Sequence, residues 1–153
     1  MIKVLAKANR TAEVLVYGTI GEDWYGNGVT AKQFREDLQA AGELDEIVVR
    51  INSPGGEVFD GIAIYNELRA HKARKIVQVD GYAASIATVI AMAADEIVLG
   101  TGTAMMIHGP STFAWGPADT MRETADKLDK ARSAWSMPTL ASTRRWRART
   151  SKR

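Results

Sequence analysis

Residues 46–56 have the sequence EIVVRINSPGG, an apolar strand pattern that runs directly into a tight turn. Glu46 to Asn52 is rich in Val and Ile, which favours a buried strand. The following Ser53-Pro54-Gly55-Gly56 predicts a turn, because proline cannot continue a central strand and paired glycines permit unusual φ values. A helix from about Val58 to His71 and a strand over Ile76–Val79 come next. The stretch therefore predicts one β-α-β unit.

The same alternation of strands and helices continues on both sides of this unit. The other predicted strands cover Ala12–Ile20, Glu96–Leu99 and Thr103–His108, and the other predicted helices cover Ala31–Ala41, Ala84–Ala94 and a polar segment from Pro117 to about Arg132. Strands that alternate with helices form stacked β-α-β units with right-handed connections. The sequence therefore predicts the α/β class, with a mostly parallel sheet in a single domain.

Length and composition describe a globular protein without thiol chemistry. The 153 residues are 46% hydrophobic and 25% charged, as in folded globular domains. Without cysteine the chain forms no disulfide and has no thiol nucleophile. The longest apolar run, residues 83–94, is too short to cross a bilayer. These observations predict no membrane partner and a cytoplasmic location.

The charge is distributed unevenly, and the change falls near residue 133. All 18 acidic residues lie at or before Asp129, whereas six of the 20 Lys and Arg lie in the last ten residues. We expect residues 1–132 to form the folded domain and residues 133–153 to form a basic, disordered tail. Because the domain itself is mildly acidic, nucleic-acid binding is not expected.

Two predicted strand-to-helix junctions carry candidate chemistry, since ligands of open α/β sheets collect at such junctions. Gly55 and Gly56 leave backbone N–H groups free to face an anion or a developing oxyanion, although most isolated turns of this kind carry no chemistry. Ser85 follows Gly81-Tyr82-Ala83-Ala84 at the start of an apolar helix, where free N–H groups and the helix dipole favour negative charge. Taken alone, such a serine is more often a helix cap than a nucleophile.

A catalytic serine needs a base, and the chain has two histidines. His71 ends a predicted surface helix beside Arg69 and Lys72, which is typical of a solvated cation. His108 follows the apolar segment 104–107 and ends a predicted strand at the same sheet edge as the two junctions. This shared edge favours His108 as the base.

The order and spacing of these motifs resemble the Clp protease proteolytic subunit, and especially its phage-encoded relatives that process capsid proteins. The resemblance covers roughly Val14 to Arg132. Its motifs are Ile51 to Gly56, Asp60-Gly61 to Tyr65, Gly81 to Ser85, and Met106-Ile107-His108-Gly109-Pro110. It implies a serine endopeptidase in which Ser85 is the nucleophile, His108 is the general base, and hydrolysis passes through an acyl-enzyme.

The resemblance also implies how the remaining parts of the site would act. The backbone N–H groups of Gly56 and Ile86 would form the oxyanion hole, and a polypeptide substrate would lie as an added strand beside Gly55 and Gly56. No metal and no organic cofactor would be needed. The expected partners are further copies of the chain in a homo-oligomeric ring, with an ATPase unfoldase or capsid proteins as other candidates. The helix after Pro117 would be the handle between subunits.

One part of the family pattern has no counterpart in this sequence. The family's third catalytic residue is an aspartate beyond the long helix, and no acid follows Asp129. Asp119, Asp126 and Asp129 fit the solvated face of a helix better than a catalytic site. We therefore expect the C-terminal part of the family fold to be missing and the activity to be impaired.

Three alternatives remain open at this point. The chain could be an inactive or truncated scaffold or assembly subunit that keeps only the packing. It could be a crotonase-type acyl-CoA enzyme, which the placement of Ser85 and His108 disfavours. It could belong to the signal-peptide peptidase branch with its Ser–Lys dyad, which is disfavoured because no lysine lies between Lys75 and Lys127.

Overall fold

The computed structural model describes residues 2–7, 10–22, 28–141 and 146–148. These residues form seven strands and four helices: β1 (Ile2–Lys7), β2 (Thr11–Tyr17), α1 (Ala31–Ala40), β3 (Glu46–Ser53), α2 (Val58–Ala70), β4 (Arg74–Ala84), α3 (Ile86–Ala91), β5 (Glu96–Leu99), β6 (Ala104–Met106), α4 (Ala118–Ala141) and β7 (Trp146–Ala148).

The strands form one sheet in the order β1-β2-β3-β4-β5-β7, and the short β6 pairs with the end of β4. Every pairing is parallel except that between β1 and β2. The predicted α/β class with a mostly parallel sheet is therefore confirmed. The sequence did not predict β1 or β7, and β4 runs on to Ala84 instead of ending at Val79.

Alternate residues of the central strands are buried, as expected where helices cover one face of a sheet. The buried residues of β3 are Ile47, Val49, Ile51 and Ser53. The three aliphatic ones join residues of α1, α2 and α3 in one hydrophobic cluster. Burying a Val, Ile or Leu side chain contributes about 1.5–3 kcal/mol. This cluster fixes where the strand ends lie, and the candidate site lies at those ends.

The buried face of α2 is wider than the predicted one. Of the predicted apolar residues, Leu68 is buried and Ile62 and Tyr65 pack partly buried against the core, while the most buried positions also include Gly61 and Ile64. Gly61 is buried because α3 packs directly on it, and a β-carbon there would collide with the Ile86 side chain. The glycine permits a close approach of the two helices that hydrophobic spacing alone does not reveal.

The C-terminal region is more ordered than its composition predicted. The helix expected to end near Arg132 continues to Ala141, and β7 adds in parallel to β5. Residues 133–141 and 146–148 are therefore regular structure where disorder was expected, because apolar residues and backbone pairing continue beyond the last acid. The rest of that segment, residues 142–145 and 149–153, lies outside the described residues. Within the part of the chain that is described, no helix combines the length and the apolar character needed to cross a membrane.

Candidate active site

The Gly55-Gly56 turn is held by backbone hydrogen bonds to a neighbouring loop segment. The amide of Ile20 donates to the carbonyl of Gly55 (2.9 Å), and the amide of Glu57 donates to the carbonyl of Ile20 (2.8 Å). Gly56 has a φ of 148°, and a β-carbon there would collide with the Ile20 carbonyl oxygen. Only glycine fits this position, as the sequence analysis expected from the paired glycines.

Ser85 occupies a strained turn between β4 and α3. Its φ is 56° and its ψ is −129°, and such a conformation costs a non-glycine residue about 1–3 kcal/mol. Although Ser85 lies at the N-cap position, its side chain makes no capping hydrogen bond. The alternative of an ordinary capping serine therefore fails. A sharp strand-to-helix turn of this kind is how hydrolase folds present a nucleophilic hydroxyl.

The glycine turn and Ser85 are in direct contact. A β-carbon on Gly55 would lie 2.7 Å from Ser85 Cβ and 2.8 Å from the Ala84 carbonyl oxygen. Within the described ranges, neither the Gly56 amide nor the Ile86 amide donates in any of the backbone hydrogen bonds that link turns, loops and helix ends. Ile86 follows Ser85 directly in the chain, and Gly56 follows Gly55, which contacts Ser85, so both N–H groups belong to residues next to this contact.

His108 reaches the same sheet edge through the pairing of β6 with β4. Ala84 lies opposite Met106, and the Ser85 amide donates to the Met106 carbonyl (2.8 Å). The predicted strand through His108 ends earlier, at Met106, so His108 lies two residues beyond it in an exposed, irregular segment. The strand pairing accounts for how residues far apart in sequence come to the same edge.

A cavity of about 330 Å³ adjoins the glycine turn. Its walls come from the start of α2, the segment after His108 and the inner side of α4, and they include Val58, Pro110, Leu128 and Ala131. A larger open cavity of about 560 Å³ lies at the opposite edge, beside Arg10 and His71, and no motif segment named above lines it. The smaller cavity is therefore the one that adjoins the candidate site.

The acidic residues of α4 lie where the sequence placed them, on an exposed surface. Asp119, Asp126 and Asp129 are exposed, and Asp119 pairs with Arg122 (2.7 Å) on the same helix. His71, the other histidine, lies at the far edge, where its Nδ1 accepts a hydrogen bond from the Ala73 amide (3.1 Å). Burial and the charge of Lys75 lower the pKa of His71.

A polar network that the sequence analysis missed joins β2, β3 and β4 on the open face of the sheet. Arg50 donates to both carboxylate oxygens of Asp80 (2.8 and 2.7 Å), and the Tyr17 hydroxyl donates to the same group (2.7 Å). Burial acts to raise the pKa of Asp80, but the hydrogen bonds from Arg50 and Tyr17 outweigh it and lower that pKa. The hydrogen bond to Asp80 raises the pKa values of Arg50 and Tyr17.

Comparison with known proteins identifies the family of this chain. A family model described as Clp protease matches residues 1–150. The chain belongs to the Clp protease family.

Curated relatives support this assignment. The ATP-dependent Clp protease proteolytic subunit of Bacteroides thetaiotaomicron is 31% identical over 122 residues, which are 76% of this chain and 53% of that protein. The corresponding subunit of Ligilactobacillus salivarius is 32% identical over 122 residues, which are 78% of this chain and 60% of that protein. The chain spans about half the length of the curated relatives it matches.

A solved structure supports the fold independently. The structure of a ClpP1 mutant from Listeria monocytogenes matches with a TM-score of 0.69 and 24% sequence identity, covering 88% of this chain and 72% of that chain. At this level of identity the likeness establishes the architecture, and the chemistry has to be argued from the site.

Proposed function

We propose that this chain is a serine endopeptidase in which Ser85 is the nucleophile and His108 is the general base. The observation that carries the proposal is the strained turn at Ser85, whose hydroxyl caps no helix. The strain is hard to explain by folding alone, and strained backbone of this kind is concentrated at functional sites. Membership of the Clp protease family supports the same reaction class.

In this mechanism Ser85 Oγ attacks the carbonyl carbon of the scissile peptide bond while its proton passes to His108. The negative charge that develops on the carbonyl oxygen is stabilised by the amides of Gly56 and Ile86. His108 then gives the proton to the leaving amine, and the peptide C–N bond breaks. A water molecule, deprotonated by His108, hydrolyses the acyl-enzyme and restores the serine.

The substrate is a polypeptide that lies beside the Gly55-Gly56 turn as an added strand. The cavity of about 330 Å³ next to that turn would receive one of its side chains. The walls formed by Val58, Leu128 and Ala131 favour an apolar side chain. The resemblance to phage-encoded relatives adds capsid or scaffold proteins to the proposal as physiological substrates. A cytoplasmic location is also part of the proposal, because the longest apolar run is too short to cross a bilayer.

No third catalytic residue is part of this proposal. The acids of α4 are exposed, and Asp119 is paired with Arg122. In the reference serine protease triad, replacing the aspartate costs about 10⁴ in kcat. The residues assigned here would act as a Ser–His dyad and support slow hydrolysis.

The proposed assembly is a homo-oligomeric ring in which α4 contacts neighbouring copies, with an ATPase unfoldase as a further partner. Residues 118–123 of α4 are exposed, and the preceding segment carries the exposed aromatic side chains of Phe113 and Trp115. Exposed aromatic groups of this size are typical of interaction surfaces.

The test is covalent labelling with a fluorescent fluorophosphonate, which reacts with activated serines. We expect labelling of the wild-type chain, none of Ser85→Ala, and strongly reduced labelling of His108→Ala. The matched controls are His71→Ala, which removes the other histidine, and Ser133→Ala, which removes an exposed hydroxyl of α4. Labelling that persists in Ser85→Ala would contradict the assigned nucleophile.

The second candidate function is an inactive scaffold or assembly subunit of the same family. The exposure of all four α4 acids, Asp119, Glu123, Asp126 and Asp129, favours it, because solvated carboxylates fit the open face of a helix better than a catalytic site. This candidate predicts a folded, oligomeric protein that no fluorophosphonate labels. Size-exclusion chromatography with light scattering, run on the labelled sample, separates the two candidates.

A further inference from the structure

Ser53 is a completely buried hydroxyl at the point where β3 leaves the regular sheet. Its exposed fraction is 0%. The register between β3 and β4 shifts between Ile51 and Ser53, after which Ser53 pairs with Ala83. A buried hydroxyl normally has hydrogen-bond partners. The partners of the Ser53 hydroxyl indicate which parts of the backbone it holds together.

The Ser53 hydroxyl joins two separate backbone segments. Its Oγ donates to the carbonyl of Gly18 (2.7 Å) and accepts from the amide of Gly55 (3.1 Å). Gly18 in turn donates its amide to the carbonyl of Asn52 (3.0 Å). The hydroxyl therefore locks the loop after β2 to the first glycine of the turn.

The position of Gly56 follows from this connection. Gly55, whose amide Ser53 holds, is in contact with Ser85, and its carbonyl accepts from Ile20 (2.9 Å). Ile20 then accepts from Glu57 (2.8 Å) on the other side of Gly56. Gly56 is thus fixed from both sides, while its own amide makes none of the loop and turn hydrogen bonds identified in the described part of the chain.

We propose that Ser53 is a positioning residue that sets the Gly56 amide for oxyanion stabilisation at Ser85. This inference rests on the proposed peptidase function and adds to it a residue that never touches the substrate. The Ser53 side chain is the only one in the turn sequence 53–56 with a hydroxyl. In Ser53→Ala the Gly55 amide and the Gly18 carbonyl lose this partner, and the turn can relax away from Ser85.

The experiment measures fluorophosphonate inactivation of the wild type, Ser53→Ala and Ile47→Val over a range of probe concentrations. Ile47 is equally buried, at 0% exposure, but it lies near the opposite end of β3, so Ile47→Val lowers stability without touching the turn. For Ser53→Ala we expect the inactivation rate constant to fall at least tenfold, with little change in the probe concentration that gives the half-maximal rate. Deleting an oxyanion donor lowers kcat by about 10²–10³-fold. We expect a smaller effect from Ser53→Ala, because this variant displaces the donor without removing it.

A loss of folded protein lowers the labelled fraction, whereas a displaced donor lowers the rate constant of the molecules that do react. Ile47→Val should change only the labelled fraction and the melting temperature. A wild-type rate constant in Ser53→Ala, or an equal fall in both variants, would overturn the positioning role.

Hydrogen exchange provides a readout that does not depend on activity. In Ser53→Ala, exchange of the hydrogen-bonded amides of Gly18, Ile20, Gly55 and Glu57 should accelerate at least tenfold, while α1 keeps its protection. Unchanged exchange there would overturn the inference even if labelling fell. A wild-type chain that no probe labels would contradict the proposed peptidase function, and the exchange result would then decide whether Ser53 orders the turn.

Discussion

Replacing Asp80 by asparagine should destabilise the fold by about 2 kcal/mol near neutral pH. The Asp80 carboxylate accepts two hydrogen bonds from Arg50 and one from Tyr17, and its side chain is only 15% exposed. Removing one partner of a fully buried ion pair costs about 3–5 kcal/mol. The Arg50 side chain is 36% exposed and keeps Glu13 as a partner at 3.3 Å, so we expect about half of that cost.

The cost should depend on pH in a defined direction. Because the pKa of Asp80 is lowered in the folded state, its ionised form is held more tightly in the folded chain than in the unfolded chain. The resulting stabilisation is fully present above the unfolded pKa of about 3.9 and is lost as pH falls through the lower folded pKa. The difference between wild type and Asp80→Asn should therefore shrink below about pH 4.

The assay is urea unfolding of both proteins followed by circular dichroism at several pH values, together with thermal melting. For a chain of this size, 2 kcal/mol corresponds to a fall of about 4–8 °C in Tm. The control is Asp119→Asn, which makes the same chemical change in an ion pair whose carboxylate side chain is 91% exposed. Surface pairs contribute about 0–1 kcal/mol. Equal losses in the two variants, or a loss from Asp80→Asn that persists unchanged below pH 4, would refute the reasoning.

Two further predictions concern contacts around the candidate site. Gly61→Ala should cost about 1–3 kcal/mol through overpacking against Ile86, and the cost should be smaller in an Ile86→Ala background. Thermal melts of the full double-mutant cycle measure this coupling, and strictly additive costs would disprove the contact. Leu128→Trp, which fills the cavity beside the glycine turn, should reduce cleavage of peptides with large apolar residues more than it reduces fluorophosphonate labelling. Lys130→Trp, at an exposed position of the same helix, is its control, and equal effects of the two would exclude the cavity as a substrate pocket.

Much of the fold could be predicted because its determinants are local. The Val- and Ile-rich pattern of β3 and the Ser-Pro-Gly-Gly sequence set the strand and its turn within a few residues. Thr30, a residue type that favours the start of a helix, caps α1 by accepting from the Gln33 amide (3.3 Å). In contrast, β7 pairs with β5 from far along the chain. Such pairing depends on which edge is open in the folded sheet, and that is not visible in local composition.

The sequence indicated candidate site residues but not the geometry around them. The shared sheet edge indicated Ser85 and His108, and the glycines indicated the turn. The positive φ of Ser85 was not predictable, because serine rarely adopts it and only the surrounding core enforces it. The role of Ser53 could not be predicted from the sequence for a related reason. Its partners are main-chain atoms of Gly18 and Gly55, and only the folded path of the backbone brings those atoms to the Ser53 hydroxyl.

The loop segment 18–20 fixes the Gly55-Gly56 turn through main-chain atoms of Gly18 and Ile20. Between them, the Thr19 side chain is exposed, and the Thr19 carbonyl accepts from the Val29 amide (2.9 Å). Replacing the Thr19 side chain therefore leaves the main-chain hydrogen bonds of Gly18 and Ile20 to the turn available. Inserting a single residue between Gly18 and Ile20 would shift the carbonyls and amides out of step with the turn. The length of this loop, more than its composition, is the part of its sequence that the site constrains.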